Sequence, residues 1–343
     1  MKWILLSPFT HTEKPGWLFD HIDPQSQQVK AVPAAYQHDR SRAVSGLSDW
    51  RDYLVHGLKA AWRLHTTDRG AGVITAFPQL ASIMAVLKRA VLPSRAPILA
   101  WCFNMGRPYA GYKGVLARFS LGAVHTFVVH SRAEIGIYAK WLDLPESRFE
   151  FVPLSAAVPA LALNQAEASP EAEPYIVSLG TANRDYRTLI DAVRPLGIKT
   201  IIVAGPHALK GIDIPAHVEV RSGLTLEACH RLAQGARLNV IPIADVSAAS
   251  GQVTLIEAMM LGCPLLITEC AGTVDYVSDG EDARLVPPRD VKAMREAIEQ
   301  LWADPDACTR MARAGQQRAL SQYTFKAVGV RMAEILGRIE RTR

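Results

Sequence analysis

Short apolar runs alternate with segments of helical periodicity along most of the 343 residues, and this alternation is what most constrains the fold. Such a pattern is typical of parallel sheets covered by helices on both faces. The predicted strands are residues 3–7, 72–76, 98–103, 126–130, 175–179, 200–204, 218–221, 238–242, 264–268 and 284–286. The predicted helices are residues 54–64, 79–91, 111–121, 132–142 and 324–341, and four more that begin near Tyr186, Thr225, Gln252 and Val291. The sequence therefore predicts doubly wound α/β domains.

Chain length indicates two such domains, at about 150 residues each. Between residues 156 and 174 the sequence is rich in Ala, Pro and Glu and poor in bulky residues, as linkers are. We therefore predict an N-terminal domain of residues 1–158, a linker of 159–174, a C-terminal domain of 175–322 and a final helix of 323–343. The apolar patch at residues 1–8 is predicted to be a first strand rather than a secretory signal.

Residues 250–269 are predicted to form a loop, a short helix and a buried strand in succession. Gly251 allows close approach of a ligand to the main chain, and the first N–H groups of the following helix have no partner within it. The helix dipole favours a phosphate at that end. Glu257 lies in the same helix, where it can accept hydrogen bonds from sugar hydroxyls. This segment therefore predicts a phosphate and sugar site.

The same residues resemble the retaining nucleotide-sugar glycosyltransferases of the GT-B type, glycosyl transferases group 1. The resemblance rests on Gly251, the Glu257-Ala-Met sequence and the Gly262-Cys-Pro sequence before an apolar strand, and it continues through residues 271–288. It covers residues 174 to 310 well and the N-terminal half loosely. It implies two Rossmann-like doubly wound domains facing a central cleft, with the sugar donor on the C-terminal domain. It also implies that the last helix crosses back to the N-terminal domain.

Arg184 follows the first strand of the C-terminal half, where the family usually has a Lys that holds the donor diphosphate. A guanidinium binds phosphate oxygens in bidentate fashion and can stabilise the charge of a leaving diphosphate. The alternative is a surface ion pair with Asp185 or Asp191.

Two positions depart from the family pattern. Thr181 stands where the family often has a second basic residue, and Ala249 stands where it has the first of two glutamates. In the family that first glutamate contacts the transferred sugar, so its place would be taken by Asp245, Ser247 or Ser250, or by main-chain amides at Gly272 and Thr273. The sugar is consequently not specified by the sequence.

The predicted donor-binding residues are Gly180, Thr181, Arg184, Arg221, Ser250, Gly251, Gln252, Val253, Thr254, Glu257, Gly272 and Thr273. Glu257 is assigned to the ribose, with a solvent-facing glutamate as the alternative. Arg221 is a candidate for the nucleobase, with an ordinary loop residue as the alternative.

Acceptor chemistry is expected from loops that follow strands in the N-terminal half, at residues 9–11, 77–79, 104–107 and 130–132. The resemblance implies that Asn104 replaces a family histidine and orients a substrate by hydrogen bonds. His130 is a candidate general base, with a hydrogen-bonded strand-end histidine as the alternative, and His11 is a weaker one. The predicted catalytic residues are thus Arg184, Asn104 and His130.

Charge is divided unevenly, because residues 1–160 carry a formal charge of +7 and the remainder −2. A basic half favours an anionic acceptor or a membrane face, against the alternative of an ordinary solvated surface. Residues 83–92 and 112–119 mix apolar and basic residues as interfacial helices do, with core packing as the alternative. Five scattered cysteines indicate a reducing compartment. The sequence has no metal-ligand spacing and no nucleic-acid motif.

These observations predict a cytoplasmic, metal-independent, retaining hexosyltransferase without a cofactor, associated with the inner face of the membrane. Its donor would be a UDP-, GDP- or ADP-sugar, and its acceptor a glycan or lipid-linked sugar in bacterial envelope or exopolysaccharide synthesis. The resemblance implies that the leaving diphosphate takes the acceptor proton without a covalent nucleophile. A nucleotide-sugar epimerase and a non-catalytic protein that binds nucleotide sugars are the alternatives.

Overall fold

A computed structural model describes residues 1–37, 46–66, 68–90, 95–106, 108–163, 173–246 and 249–342. It divides into two compact units, Met1–Pro153 with Phe325–Arg343, and Leu154–Thr324. The division falls at Pro153, before residues 159–174 where the sequence predicts a linker. Residues 164–172 of that stretch lie outside the described residues.

The strands of the described residues are β1 Lys2–Leu6, β2 Gln28–Val32, β3 Gly72–Ala76, β4 Ile98–Trp101, β5 Thr126–Val129, β6 Phe149–Phe151, β7 Ile176–Leu179, β8 Thr200–Val203, β9 Val218–Arg221, β10 Leu238–Ile241, β11 Leu265–Thr268 and β12 Arg284–Val286. The helices are α1 Leu47–Thr66, α2 Phe77–Ala90, α3 Gly111–Leu121, α4 Ala133–Leu142, α5 Ala160–Leu163, α6 Tyr186–Val193, α7 Leu226–Gly235, α8 Gln252–Met260, α9 Val291–Ala303, α10 Pro305–Gln322 and α11 Phe325–Arg341. Short 3₁₀ helices cover Trp17–His21, Glu146–Arg148 and Pro206–Leu209.

The N-terminal unit is built on a parallel sheet of order β2-β1-β3-β4-β5-β6. Its central strands are buried on both faces, since every residue of β3, β4 and β5 is buried. One face is covered by α1 to α4, which contribute Tyr53, Leu80 and Tyr138 to the core. The other face is covered by the 3₁₀ helix Trp17–His21 and by α11.

Helix α11 belongs to this unit because its apolar stripe is buried there. Val328, Met332 and Ile335 pack in one cluster with Leu18 and Trp3. The Trp3 indole also donates a hydrogen bond to Glu340 Oε1 over 2.9 Å. The predicted apolar face of the last helix is thus a packing face.

The second unit is built on a parallel sheet of order β12-β11-β10-β7-β8-β9. Three of its helices, α6, α7 and α9, begin after a side-chain cap. The side chains of Asp185, Thr225 and Asp290 each accept a hydrogen bond from the backbone N–H three residues further along the chain. The helix starts predicted near Tyr186, Thr225, Gln252 and Val291 are therefore confirmed. Each unit is a doubly wound α/β fold, as the alternation in the sequence predicts.

Candidate functional site

The second unit has a topological switch point between β7 and β10. These strands are neighbours, but the chain proceeds from β7 to β8 and β9 on one side and from β10 to β11 and β12 on the other. Ligands of open α/β sheets bind at the carboxyl ends of strands at such a point. The loops there meet, since Arg184 forms an antiparallel bridge with Ile243 and Asp185 N donates to Pro242 O over 3.1 Å.

The Arg184 side chain is held inside this switch point. Its Nε donates to Leu179 O over 3.1 Å, its Nη1 to Ala182 O over 3.0 Å and its Nη2 to Thr254 Oγ1 over 3.0 Å. The guanidinium therefore joins the loop after β7 to the first turn of α8. Three of its five N–H donors are used in this way.

The charge of Arg184 has no carboxylate partner among the described residues. Asp185 instead caps α6 by accepting from Thr188, and Asp191 lies beside Arg194. The ion pair considered from the sequence is thus not formed. Burial lowers the pKa of the Arg184 guanidinium, but arginine remains protonated at any physiological pH. The switch point therefore contains an uncompensated cation.

Helix α8 begins at Gly251, which has a left-handed backbone with φ 83°. A side chain there would be strained, and its Cβ would lie 2.8 Å from Ile243 Cδ1. Val253 in the first turn is 49% exposed, so its side chain reaches solvent at the amino end of α8. The dipole of α8 and the Arg184 cation together provide positive potential for an anion there.

The loop before α8 packs main chain against main chain on the loop after β11. A Cβ added to Gly272 would lie 2.5 Å from both the N and the O of Ser250. Asn183 fixes the same loop, because its Nδ2 donates to Ser250 Oγ over 2.6 Å. The position of Ser250, and with it the start of α8, therefore depends on residue 272 having no side chain.

We expect Gly272→Ala to weaken nucleotide binding by about tenfold and to lower the free energy of unfolding by about 1–3 kcal/mol, since the Ser250 backbone must move. Calorimetric titration and urea denaturation measure the two effects. Gly136→Ala in α4 is the control, because its Cβ meets only Glu146 Oε1 at 3.4 Å. Unchanged binding by Gly272→Ala would show that the Ser250 loop does not position the donor site.

Gln252 and Thr273 are buried, so their side chains face inward from the predicted donor site. Gln252 Nε2 contacts the Tyr276 hydroxyl at 3.4 Å. Thr273 Oγ1 donates to Thr268 O over 3.0 Å, and its amide donates to Cys270 O over 2.9 Å. These contacts shape the turn after β11, and a ligand contact by either side chain stays a prediction.

Glu257 lies at the second turn of α8 with its side chain 24% exposed, beside a recess of about 20 Å³ lined also by Thr254 and Leu179. That volume holds about one water molecule. His230 Nε2, from α7, lies 3.5 Å from Glu257 Oε2. The sequence analysis missed His230, because only the packing of α7 on α8 brings it to the glutamate.

The remaining donor candidates lie around the same strand ends. Gly180 has φ 120° and its carbonyl accepts from the Tyr186 hydroxyl. Thr181 Oγ1 accepts from Gly205 N over 3.0 Å. Arg221 forms two hydrogen bonds with Glu219, so its contact with a nucleobase stays a prediction. Of the proposed substitutes for the missing glutamate, Asp245 is held by Asn183, since its N donates to Asn183 Oδ1 over 2.7 Å and its O accepts from Asn183 Nδ2 over 3.0 Å. Ser247 lies outside the described residues.

The N-terminal unit has its own switch point, between β1 and β3. Two of the predicted acceptor loops meet there, since the Phe9 and Phe77 rings lie 5.6 Å apart. Trp17, which the sequence analysis did not select, lies 5.7 Å from Phe9. Trp17 and Phe77 both have positive φ, of 53° and 69°, a strained backbone that is concentrated at functional sites.

His130 is buried at the end of β5. Its Nδ1 lies 2.7 Å from Val152 O and its Nε2 lies 3.3 Å from Cys102 Sγ. Burial lowers its pKa to about 4, so the ring is neutral at pH 7. This environment favours the alternative of a hydrogen-bonded strand-end histidine over a general base.

Asn104 and His11 lie in exposed loops of the same unit. Asn104 Oδ1 accepts from Gly106 N over 2.9 Å, and His11 Nδ1 lies 3.0 Å from Ala34 O. Arg107, in the same predicted loop as Asn104, lies outside the described residues. The substrate contact predicted for Asn104 stays a prediction.

Within the described ranges, no group of three His, Cys, Asp or Glu side chains is arranged to hold a metal ion. In the same part of the chain, no helix has the length and apolar character needed to cross a bilayer. Cys270, near Arg184, is buried, and burial raises the pKa of its thiol.

Comparison with known proteins agrees with this geometry. Residues 173–304 match the family described as Glycosyl transferases group 1. A GDP-mannose-dependent alpha-(1-6)-phosphatidylinositol monomannoside mannosyltransferase of Mycolicibacterium smegmatis is 34% identical over 84 residues, which are 24% of this chain and 22% of that protein. The match thus spans under a quarter of that relative's length.

Solved structures extend the similarity of fold to the whole chain. Sucrose-phosphate synthase from Thermosynechococcus elongatus has a TM-score of 0.71 at 16% identity, covering 100% of both chains. Anabaena HepE in complex with UDP has a TM-score of 0.68 at 13% identity, covering 98% of this chain and 100% of that one. The predicted fold class, two Rossmann-like units of the GT-B type, is confirmed.

Proposed function

We propose that this chain, whose residues 173–304 match the glycosyl transferases group 1 family, transfers a hexose from a nucleoside diphosphate sugar. The donor is a UDP-, GDP- or ADP-sugar, and neither a metal nor a cofactor takes part. The acceptor is a glycan or lipid-linked sugar of bacterial envelope or exopolysaccharide synthesis. The protein would act in the cytoplasm at the inner face of the membrane.

The observation that carries this proposal is the uncompensated Arg184 cation at the amino end of α8. Its Nη2 is bonded to Thr254, so the guanidinium and the first N–H groups of the helix lie together at one switch point. A helix amino end and a guanidinium can both stabilise a diphosphate when no metal ion is used. Glu257, one turn beyond Thr254, would accept hydrogen bonds from the ribose hydroxyls.

In the proposed retaining reaction, the bond between the anomeric carbon and the diphosphate oxygen breaks. The acceptor oxygen forms its bond to the same face of that carbon, and the acceptor proton passes to the departing diphosphate oxygen. Arg184 stabilises the negative charge that develops on the diphosphate. No protein nucleophile is required, which is consistent with the raised pKa of the buried Cys270 thiol.

The aromatic cluster Phe9, Trp17 and Phe77 supports an acceptor site on the N-terminal unit. Aromatic faces with few polar neighbours are typical of sites for small organic ligands. The three side chains are half-buried, so their rings remain accessible at the carboxyl ends of β1 and β3. An acceptor sugar packed on these rings would present its hydroxyl at the strand ends.

The proposal predicts that the nucleotide and nucleotide sugar of one base, uracil, guanine or adenine, stabilise the folded protein. A ligand that binds only the folded state raises stability by about 2.7 kcal/mol at a concentration of 100 times Kd. Thermal unfolding with UDP, GDP, ADP and their sugars measures this and identifies the base. If no nucleotide raises the melting temperature, the donor-site assignment is wrong.

Product analysis then separates the alternatives. Conversion of the donor sugar without an acceptor would indicate an epimerase. Donor binding without turnover in the presence of glycan and lipid-linked acceptors would indicate a binding protein, the alternative suggested by Thr181, Asn104 and Ala249.

A further inference from the structure

Helix α3 presents its large apolar side chains to solvent. Tyr112, Val115, Leu116 and Phe119 are 72%, 63%, 61% and 58% exposed. The helix packs on its neighbours through Gly114, Ser120 and Leu121, which are buried. Most of its large apolar side chains thus face solvent, unlike those of a helix that covers a sheet. The four side chains, with Tyr109 before them, are named here the α3 surface.

Basic groups lie among the aromatic rings of the α3 surface. The Arg89 guanidinium of α2 lies 5.0 Å from the centroid of the Phe119 ring. Lys113 Nζ lies 5.9 Å from the centroid of the Tyr109 ring. Both basic residues are exposed, so aromatic and cationic groups reach solvent on the same surface.

The sequence around this surface has no negative charge. Residues 69–133, which run from before β3 to the start of α4, contain eight Lys and Arg and no Asp or Glu. Such separation of charge leaves the α3 surface without a carboxylate from its own helix or from α2. Its chemistry is therefore that of an apolar, aromatic and cationic surface.

We propose that the α3 surface docks on an anionic phospholipid membrane. Aromatic and aliphatic side chains on one side of a helix enter the boundary between headgroups and acyl chains, while lysine and arginine pair with anionic headgroups. A second copy of this chain is disfavoured as the occupant, because two such surfaces would bring like charges together. The inference rests on the proposed function and extends it, because docking on a membrane would bring a lipid-linked acceptor within reach of the enzyme.

The structure also separates the two interfacial segments considered from the sequence. In α2, Met84, Ala85 and Leu87 are buried, which favours core packing for this segment, and residues 91 and 92 lie outside the described residues. Among the α2 side chains that the structure describes, Val86 and Arg89 are exposed. The segment of residues 112–119 is the exposed one.

The test is sedimentation with vesicles of phosphatidylcholine alone or with an equal part of phosphatidylglycerol. We expect the full-length protein to bind the anionic vesicles and Leu116→Ser with Phe119→Ser to reduce the partition coefficient by about tenfold or more. Lys113→Gln with Arg89→Gln should lower binding at low salt and have little effect at high salt. Leu226→Ser is the matched control, because Leu226 is an exposed leucine on α7 of the other unit.

Absent binding to anionic vesicles, or equal binding by wild type and the serine double variant, would overturn the inference. So would a dimer in sedimentation velocity that the double variant dissociates, since a second copy would then be the occupant. Thermal shift by nucleotides is recorded on the same variants. Wild-type protein that shows the nucleotide shift but does not bind anionic vesicles rejects the membrane surface alone, and wild-type protein that binds the vesicles without a nucleotide shift rejects the donor site alone.

Discussion

Arg184→Ala is expected to weaken the binding of the donor nucleotide by about 10- to 150-fold. A hydrogen bond to a charged group contributes about 1.5–3 kcal/mol, and each 1.4 kcal/mol is tenfold in affinity. Replacing Arg184 should reduce nucleotide affinity more than replacing a neutral hydrogen-bonding residue would. The reason is that Arg184 is a cation, held between Leu179 and Thr254 without a carboxylate partner. Calorimetric titration with the nucleotide found in the thermal panel measures the change.

Controls separate a lost ligand contact from a disturbed loop. Arg187→Ala removes an exposed arginine three residues away that donates to Gly211 O, and its nucleotide affinity should be unchanged. Arg184→Lys keeps the charge but not the planar fork, so it should be intermediate. Circular dichroism confirms that each variant is folded. Full nucleotide binding by folded Arg184→Ala would remove Arg184 from the donor site.

Of the twelve strands of the described residues, the sequence predicts ten, which include β9 and β12 at the two edges of the second sheet. Both strands it missed, β2 and β6, lie at the two edges of the N-terminal sheet. An edge strand needs no continuous apolar sequence, and charged residues there discourage pairing with other chains. Lys30 in β2 and Glu150 in β6 interrupt the apolar pattern for that reason.

The candidate site was predicted in part because its signals are local. Gly251, Thr254 and Glu257 are selected by the order of loop, helix and strand, and Arg184 by its place after a strand. The partners of these residues come from distant elements and leave no local pattern. His230 reaches Glu257 only through the packing of α7 on α8, and the Arg184 side chain reaches Thr254 across 70 residues of sequence.

Burial also separates residues that the sequence treats alike. Val253 and Gln252 are adjacent at the start of α8, yet Val253 is exposed and Gln252 is buried. Gln252 faces the Tyr276 hydroxyl, so the polar residue of the pair points inward. Polarity alone would make Gln252 the accessible residue of the pair, since the sequence does not show which face of the helix is packed.

His130→Gln is expected to reduce the loss of stability that the protein undergoes in acid. Burial lowers the pKa of folded His130 to about 4 from an ordinary value of about 6.5. Between these values the unfolded chain binds a proton that the folded chain does not, so stability falls as pH decreases. The loss from this residue reaches about 2 kcal/mol at pH 5 and about 3 kcal/mol at pH 4.

Urea denaturation of wild type and His130→Gln at pH 7 and pH 5 measures this difference. The variant should be less stable at pH 7, because the contact with Val152 O is altered, but its free energy of unfolding should change less on acidification. His65→Gln, which replaces an exposed histidine of α1, is the control. Equal acid sensitivity in both variants would contradict the buried neutral ring. Transfer activity of folded His130→Gln at pH 7.5 tests whether His130 is the general base. If it is, the variant should lose the activity; if His130 is a packing residue, the variant should keep most of it.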